Sequence, residues 1–239
     1  VVSVTEPILQ KLHQKIAHRD RSKPFVTIAN GFDREDFEAG DATPARADPR
    51  GARNGCLTFL HPGQAYRGYP IPVVMALEQL PTGQEVVERL RFHFIGYTHP
   101  EDRTRIANSP VSALFRLEQQ RVPHPTAVYL MKNSQILLLL IRGAPEGSSS
   151  KVYEYMMAGV PVLAIASGVG ANLVRRSGIG CVVHPDDIDG LANILRQIAL
   201  DYEGFVAQYY HPNWDVINQY DRRVLTQKLA NVLDSVIRG

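Results

Sequence analysis

Glu146 and Glu154 stand eight positions apart and bracket three consecutive serines, Ser148, Ser149 and Ser150, followed by Lys151. Small residues ahead of a helix allow an anion to come close to unpaired backbone N–H groups, and the helix dipole favours negative charge there. Lys151 adds a cation in the first turn, so a phosphate or diphosphate fits this position. A carboxylate just inside such a helix, as Glu154 is, can accept two hydrogen bonds from a ribose diol. Glu146, in the loop, can accept from sugar hydroxyls at the mouth of the site. An ordinary serine cap, a solvated lysine and two surface carboxylates produce the same pattern. Glu154 lies four residues after Ser150, one too many for a capping box on that serine.

The elements that must position these residues are legible on either side. Residues 136–141 form an uninterrupted apolar run, too short to cross a membrane and suited to a strand buried on both faces of a parallel sheet. A loop at 142–150 leads into an amphipathic segment at 151–158, which Gly159 stops and Pro161 prevents from continuing. Residues 162–165 read as a second buried strand, and the whole is a βαβ unit. Ligands of open α/β sheets sit beyond the carboxyl ends of the strands, which directs attention to the 142–150 loop.

The remaining chain repeats the alternation. Strands are predicted at 1–4, 24–28, 56–60, 90–95 and 181–183, with a short one ending at Val122. Helices are predicted from Thr5 to about Ala17 and at 72–80, 126–132, 170–176 and 188–200, with 102–119 mostly helical and broken at Pro110. Residues 214–237 read as one C-terminal helix. Residues 33–54, charged and rich in Ala, Gly and Pro without periodicity, read as a linker and domain boundary. The implied class is α/β, a doubly wound Rossmann-like parallel sheet with a C-terminal helix.

Composition narrows the function classes. A formal net charge of +2 over 239 residues gives no bulk electrostatic case for a nucleic-acid partner. No segment is long and apolar enough to span a bilayer. The two cysteines, Cys56 and Cys181, make no disulfide framework and read as buried free thiols in a reducing cytoplasm. His61, His93, His99 and His124 are scattered singles without metal-ligand spacing, so no metal site is expected.

The run from Glu146 through Glu154 and on to Tyr155-Met156-Met157-Ala158-Gly159-Val160-Pro161-Val162 resembles the paired-glutamate signature and donor-site helix of retaining family-4 glycosyltransferases with the GT-B fold. Ile28-Ala29-Asn30-Gly31-Phe32-Asp33 is similar to that family's interdomain linker. Gly63-Gln64-Ala65-Tyr66-Arg67-Gly68 resembles its glycine-rich first loop, with Gln64 where many members carry arginine. Arg121-Val122-Pro123-His124 resembles the nucleobase segment, and Pro185-Asp186-Asp187 the start of a late helix.

The resemblance implies roles residue by residue. Glu146 meets the donor sugar and Glu154 the nucleotide ribose. Arg67 and Lys151, with Gly63 and the Ser148, Ser149 and Ser150 turn, hold and stabilise the departing diphosphate, and His124 lies by the nucleobase. A nucleotide-diphosphate sugar is then the donor substrate, with no separate cofactor and no metal. The implied division is the end of an acceptor domain at 1–33, a linker at 34–54, a donor-binding domain at 55–205 and a helical segment at 206–239 that packs back toward the acceptor domain. Most of that acceptor domain is expected to precede Val1, so this chain binds a donor and its transfer depends on the missing part. The acceptor is a glycan, a lipid-linked sugar or a small molecule, in polysaccharide biosynthesis. The setting is the cytoplasm, with contact at the inner face of a membrane left open. The alternatives are another GT-B enzyme, such as a nucleotide-sugar epimerase, and a non-catalytic nucleotide-sugar-binding module.

Overall fold

The computed structural model describes residues 1–16, 24–38, 55–80, 88–143 and 145–238. Six strands form one parallel sheet: β3 (Leu57–Pro62), β4 (Leu90–Ile95), β5 (Phe115–Glu118), β6 (Ile136–Leu140), β7 (Val162–Ile165) and β8 (Gly180–Val183). Their spatial order is β5-β4-β3-β6-β7-β8. The chain therefore winds outward from β3, returns to its other side at β6 and winds outward again. The reversal lies between β3 and β6, and there the loops leaving two adjacent strands diverge and open a crevice. A separate two-stranded parallel sheet joins β1 (Val2–Ser3) to β2 (Val26–Thr27), with α1 (Glu6–Ile16) between them.

Alternate residues of β6 face opposite sides, as the strand pleat requires. Ile136, Leu138 and Leu140 enter one core with Phe59 and Phe92. This core is covered by α3 (Ile71–Glu78), α4 (Pro100–Ala107), α8 (Ile188–Leu200) and α9 (Tyr202–Tyr209). Leu137, Leu139 and Ile141 enter the other core. There the cover is α5 (His124–Lys132), α6 (Lys151–Met157), α7 (Gly168–Ser177) and α10 (Trp214–Ile217). Helices on both faces leave no side of β6 for solvent, which is why its sequence shows no alternation.

Several expectations need correction. The helix expected to continue to residue 119 ends at Ala107; a 3₁₀ turn at Ser112–Leu114 leads into β5, an edge strand. Phe115 stacks on Phe92 at 5.3 Å, so the segment gains more from sheet packing than from continuing a helix past Pro110. No strand ends at Val122. The C-terminal helix is interrupted: α10 passes through a 3₁₀ turn at Asn218–Tyr220 before α11 (Arg222–Arg238) begins. The interruption frees the Tyr220 carbonyl to accept from the Phe32 amide at 3.1 Å, and the Arg222 amide donates to the Phe32 carbonyl at 3.0 Å. A Cβ on Gly31 would lie 2.3 Å from the Tyr220 oxygen, which accounts for glycine there. The proposed linker begins as a short helix, α2 (Arg34–Glu38), with Phe37 buried; positions 39–54 fall outside the described residues. The α9 helix was not expected; the Asp201 carboxylate caps it through the Gly204 amide at 2.9 Å.

Candidate functional site

The crevice predicted by the strand order is present. A cleft of about 410 Å³ opens beyond β3 and β6, lined by Asn30, Gln64, Tyr66 and Tyr69 on one side and by residues 140–142 and 147–151 on the other. Gly63, immediately after β3, adopts a φ of +106°. A Cβ there would meet the Lys151 Cε at 2.8 Å, so only glycine lets the lysine stem cross the loop. Gly96, at the end of β4 with φ +118°, packs against the Gly63 carbonyl, where a Cβ would come within 2.8 Å. Neither glycine lines the cleft itself; the two close approaches fix the course of the loop that brings Gln64 and Tyr66 to it.

Lys151 has no hydrogen bond or ion pair to its ammonium among the described residues. Burial pushes its pKa below the ordinary lysine value, and the Glu154 carboxylate only partly offsets that. Beneath it, His61 is 1 % exposed, with Nδ1 2.9 Å from the Leu138 carbonyl and Nε2 3.4 Å from the Gln64 carbonyl. Desolvation, reinforced by the Lys151 charge, lowers its pKa to about 4, so the ring is neutral at physiological pH. His61 thus ties the end of β3 to β6 without adding a second positive charge under the lysine.

The serine turn divides its labour. Ser149 Oγ accepts from the Lys151 amide at 3.3 Å, whereas Ser150, which precedes the helix, makes no side-chain cap. Ser148 Oγ and the Tyr153 hydroxyl are 3.1 Å apart, which anchors the loop to the helix below. Glu154 lines an adjoining cavity of about 270 Å³ with Gly31, Arg222 and Leu225. Asn30 and Ser150 line both cavities, so the Lys151 cleft and the Glu154 cavity adjoin. Desolvation pushes the Glu154 carboxyl above the usual carboxylate range, against the pull of His124, Lys151 and Arg222.

The other expected residues sit farther out. The Glu146 carboxylate pairs with Lys11 on α1, which holds it below the usual range, and its carbonyl accepts from Thr5 Oγ1 at 2.6 Å. The loop is thereby tied to the small β1–β2 sheet. His124 Nε2 is 3.0 Å from an Asp36 carboxylate oxygen on α2, which brings the segment after β2 to the Glu154 side of the site. Arg67 does not line the cleft: its guanidinium lies 2.6 Å from Glu101, and its side chain is 69 % exposed. The cleft also contains Arg142, Tyr66 and Tyr69; the sequence marks the loops that carry Arg142 and Tyr66 but assigns no role to any of the three. Arg142 carried a signal that could have been used, because it lies just beyond the strongest strand of the chain. Among the described residues, no group of three or more His, Cys, Asp or Glu side chains could hold a metal ion.

A parallel sheet wound to both sides, with a cleft at its reversal, is the Rossmann-like design seen in GT-B proteins. Anabaena Alr3699/HepE, solved in complex with UDP-glucose, superposes with a TM-score of 0.72 at 19% identity, over 98% of this chain and 63% of that one. An α,α-trehalose 6-phosphate synthase from Burkholderia multivorans gives 0.71 at 12% identity, over 99% and 58%. WaaG, a glycosyltransferase involved in lipopolysaccharide biosynthesis, gives 0.63 at 16%, over 98% and 60%. The chain thus spans about three fifths of the length of these solved proteins. No curated protein matches it in sequence. The glycosyl transferases group 1 family matches residues 58–201, and the chain belongs to that family. No helix among the described residues is long and apolar enough to cross a membrane.

Proposed function

We propose that this chain is the donor-binding part of a retaining glycosyltransferase of family 4, which takes a sugar from a nucleoside diphosphate. The observation that carries the reading is Lys151, partly desolvated and without a hydrogen bond or ion pair to its ammonium among the described residues, in a cleft that adjoins the cavity of the half-buried Glu154 carboxylate. A cation held without a counter-ion favours an anionic ligand, and a carboxylate beyond it suits a diol. The diphosphate lies at Lys151 and the serine turn, with the ribose at Glu154. Glu146 marks the sugar side of the loop, His124 the nucleobase side, and Arg67 the rim. Transfer breaks the bond from the anomeric carbon to the diphosphate oxygen, and the electron pair leaves with the diphosphate. The acceptor hydroxyl gives its proton to the departing diphosphate oxygen as its own oxygen bonds to the anomeric carbon from the same face, which retains configuration. Lys151 and the loop amides act where charge develops on the leaving group.

Relatives solved with UDP-glucose or named as sugar-phosphate synthases support this class of donor. The acceptor, a glycan, lipid-linked sugar or small molecule, reaches the open side of the cleft with help from parts of the protein beyond these residues. Work at the cytoplasmic side of a membrane, in polysaccharide biosynthesis, is consistent with this reading. Isothermal calorimetry with UDP-, GDP- and ADP-sugars tests it. One base is expected to bind, and Glu154→Ala is expected to weaken binding by about ten- to a hundredfold, the loss of charge-assisted hydrogen bonds. Binding of no nucleotide, or equal binding by the variant, overturns it.

A further inference from the structure

The cleft contains a cation that the glycine loop does not supply. Among the described residues its charged lining side chains are Lys151 and Arg142, and Arg142 lies two residues beyond the end of β6, the strand bordering the topological reversal. We propose that Arg142 is the second diphosphate-binding cation of this site, in the role expected of Arg67; the proposal rests on the donor-site reading above. It would be a specificity-determining contact between nucleoside diphosphates and ligands without phosphate.

Three features favour Arg142 over Arg67. First, its backbone is pinned to the cleft: the Tyr69 hydroxyl donates to the Arg142 carbonyl at 2.8 Å, which joins the end of β6 to the loop after β3. Second, its guanidinium passes above that loop. A Cβ on Gly68, where φ is +78°, would lie 4.0 Å from an Arg142 terminal nitrogen. Third, its carboxylate partner among the described residues, Asp186, is easily displaced. Asp186 accepts from Arg142 at 3.3 Å, with the arginine 46 % and the aspartate 71 % exposed. An exposed pair of this kind contributes little, whereas a diphosphate offers a guanidinium two parallel charge-assisted bonds. Arg67 starts from a worse position, at 2.6 Å from Glu101 on the outer rim and outside the cleft lining.

Lys151 and Arg142 arise on opposite ends of the same loop, so a diphosphate between them would clamp residues 142–151 from both sides. In the free chain Asp186 holds the arginine near this position. The acidic residue then competes with the ligand and sets how readily the arginine is released.

The test is calorimetry on the full chain with UDP, GDP and ADP, each against its parent nucleoside. For the base that binds, Arg142→Ala should weaken the diphosphate at least tenfold and leave nucleoside affinity within about twofold. Arg142→Lys should recover part of the loss, because a point charge replaces a bidentate fork. Asp186→Asn should bind the diphosphate as tightly as the parent chain or more tightly, most visibly at low salt. The proposal is overturned if Arg67→Ala costs as much as or more than Arg142→Ala. It is also overturned if Arg142→Ala weakens nucleoside and diphosphate alike, the signature of a merely structural role. If Glu154→Ala weakens binding while Arg142→Ala does not, the donor-site reading stands and this proposal alone fails. If no nucleotide binds, both fall.

Discussion

Among the described residues no hydrogen bond or ion pair neutralises the Lys151 ammonium, and its burial makes that charge costly. An apolar side chain of similar length should therefore fit without penalty. Lys151→Met is expected to leave the thermal midpoint unchanged or raised and to weaken nucleoside diphosphate binding by about ten- to a hundredfold, read by thermal melts and calorimetry on the same samples. A lower midpoint with intact binding would show that the lysine serves the fold. At this scale the sequence shows seven residues between a loop carboxylate and one in the first turn of a helix, with the serine turn between them; that these belong to one site was implied by the family resemblance and not by the spacing. The partners of those carboxylates could not be read. Glu146 pairs with Lys11, and Glu154 sits in the electrostatic field of His124 and Arg222, all brought together across long stretches of chain.

Among the elements, the ends of β3 and β4 meet beside the loop that carries Gln64 and Tyr66 into the cleft. Gly63 and Gly96 occupy positive φ and lie so close that a side chain on Gly96 would collide with the Gly63 backbone. Gly96→Ala combines left-handed strain with that collision. It should cost about 2 kcal/mol or more in urea unfolding, and it should also weaken ligand binding because the Gly63 turn must move from Lys151. A substitution at Gly55, also at positive φ but with nothing within 4 Å, should cost less, through backbone strain alone. The strand and helix run from 136 to 165 was legible because its apolar run and its Gly-Pro stop are strong local signals. β5 was not, because Phe-Arg-Leu-Glu is too short to show a period and owes its state to Phe92 and Phe94 beside it. The break before α11 was hidden for a similar reason: the strand-like bridge from Phe32 to Asp221 imposes it from far away in sequence.

Across the whole molecule, His61 links stability to pH. Its native pKa is about 4 against an ordinary 6.5, so below pH 6.5 the unfolded chain takes up a proton that the native chain refuses. Stability should fall as pH drops from 6.5 through 4, by up to about 3 kcal/mol from this residue. His93, also lowered chiefly by burial, acts in the same direction. Urea midpoints measured from pH 7 to pH 4 should decline, and His61→Gln should flatten the decline even where it lowers the midpoint itself. An unchanged slope would remove His61 as the cause.

The sequence by itself determined the α/β class, the buried strand at the centre of the sheet and the pairing of a serine turn with Lys151 and Glu154. Those depend on local periodicity, helix stops and short spacings, which the chain displays along its length. Only the tertiary structure decided the strand order, and with it which loops face one another across the crevice. Parallel strands pair through crossovers, so no local pattern says that β6 returns to the free side of β3. That return places Arg142 in the cleft with Lys151, while the loop geometry leaves Arg67 on the rim with Glu101.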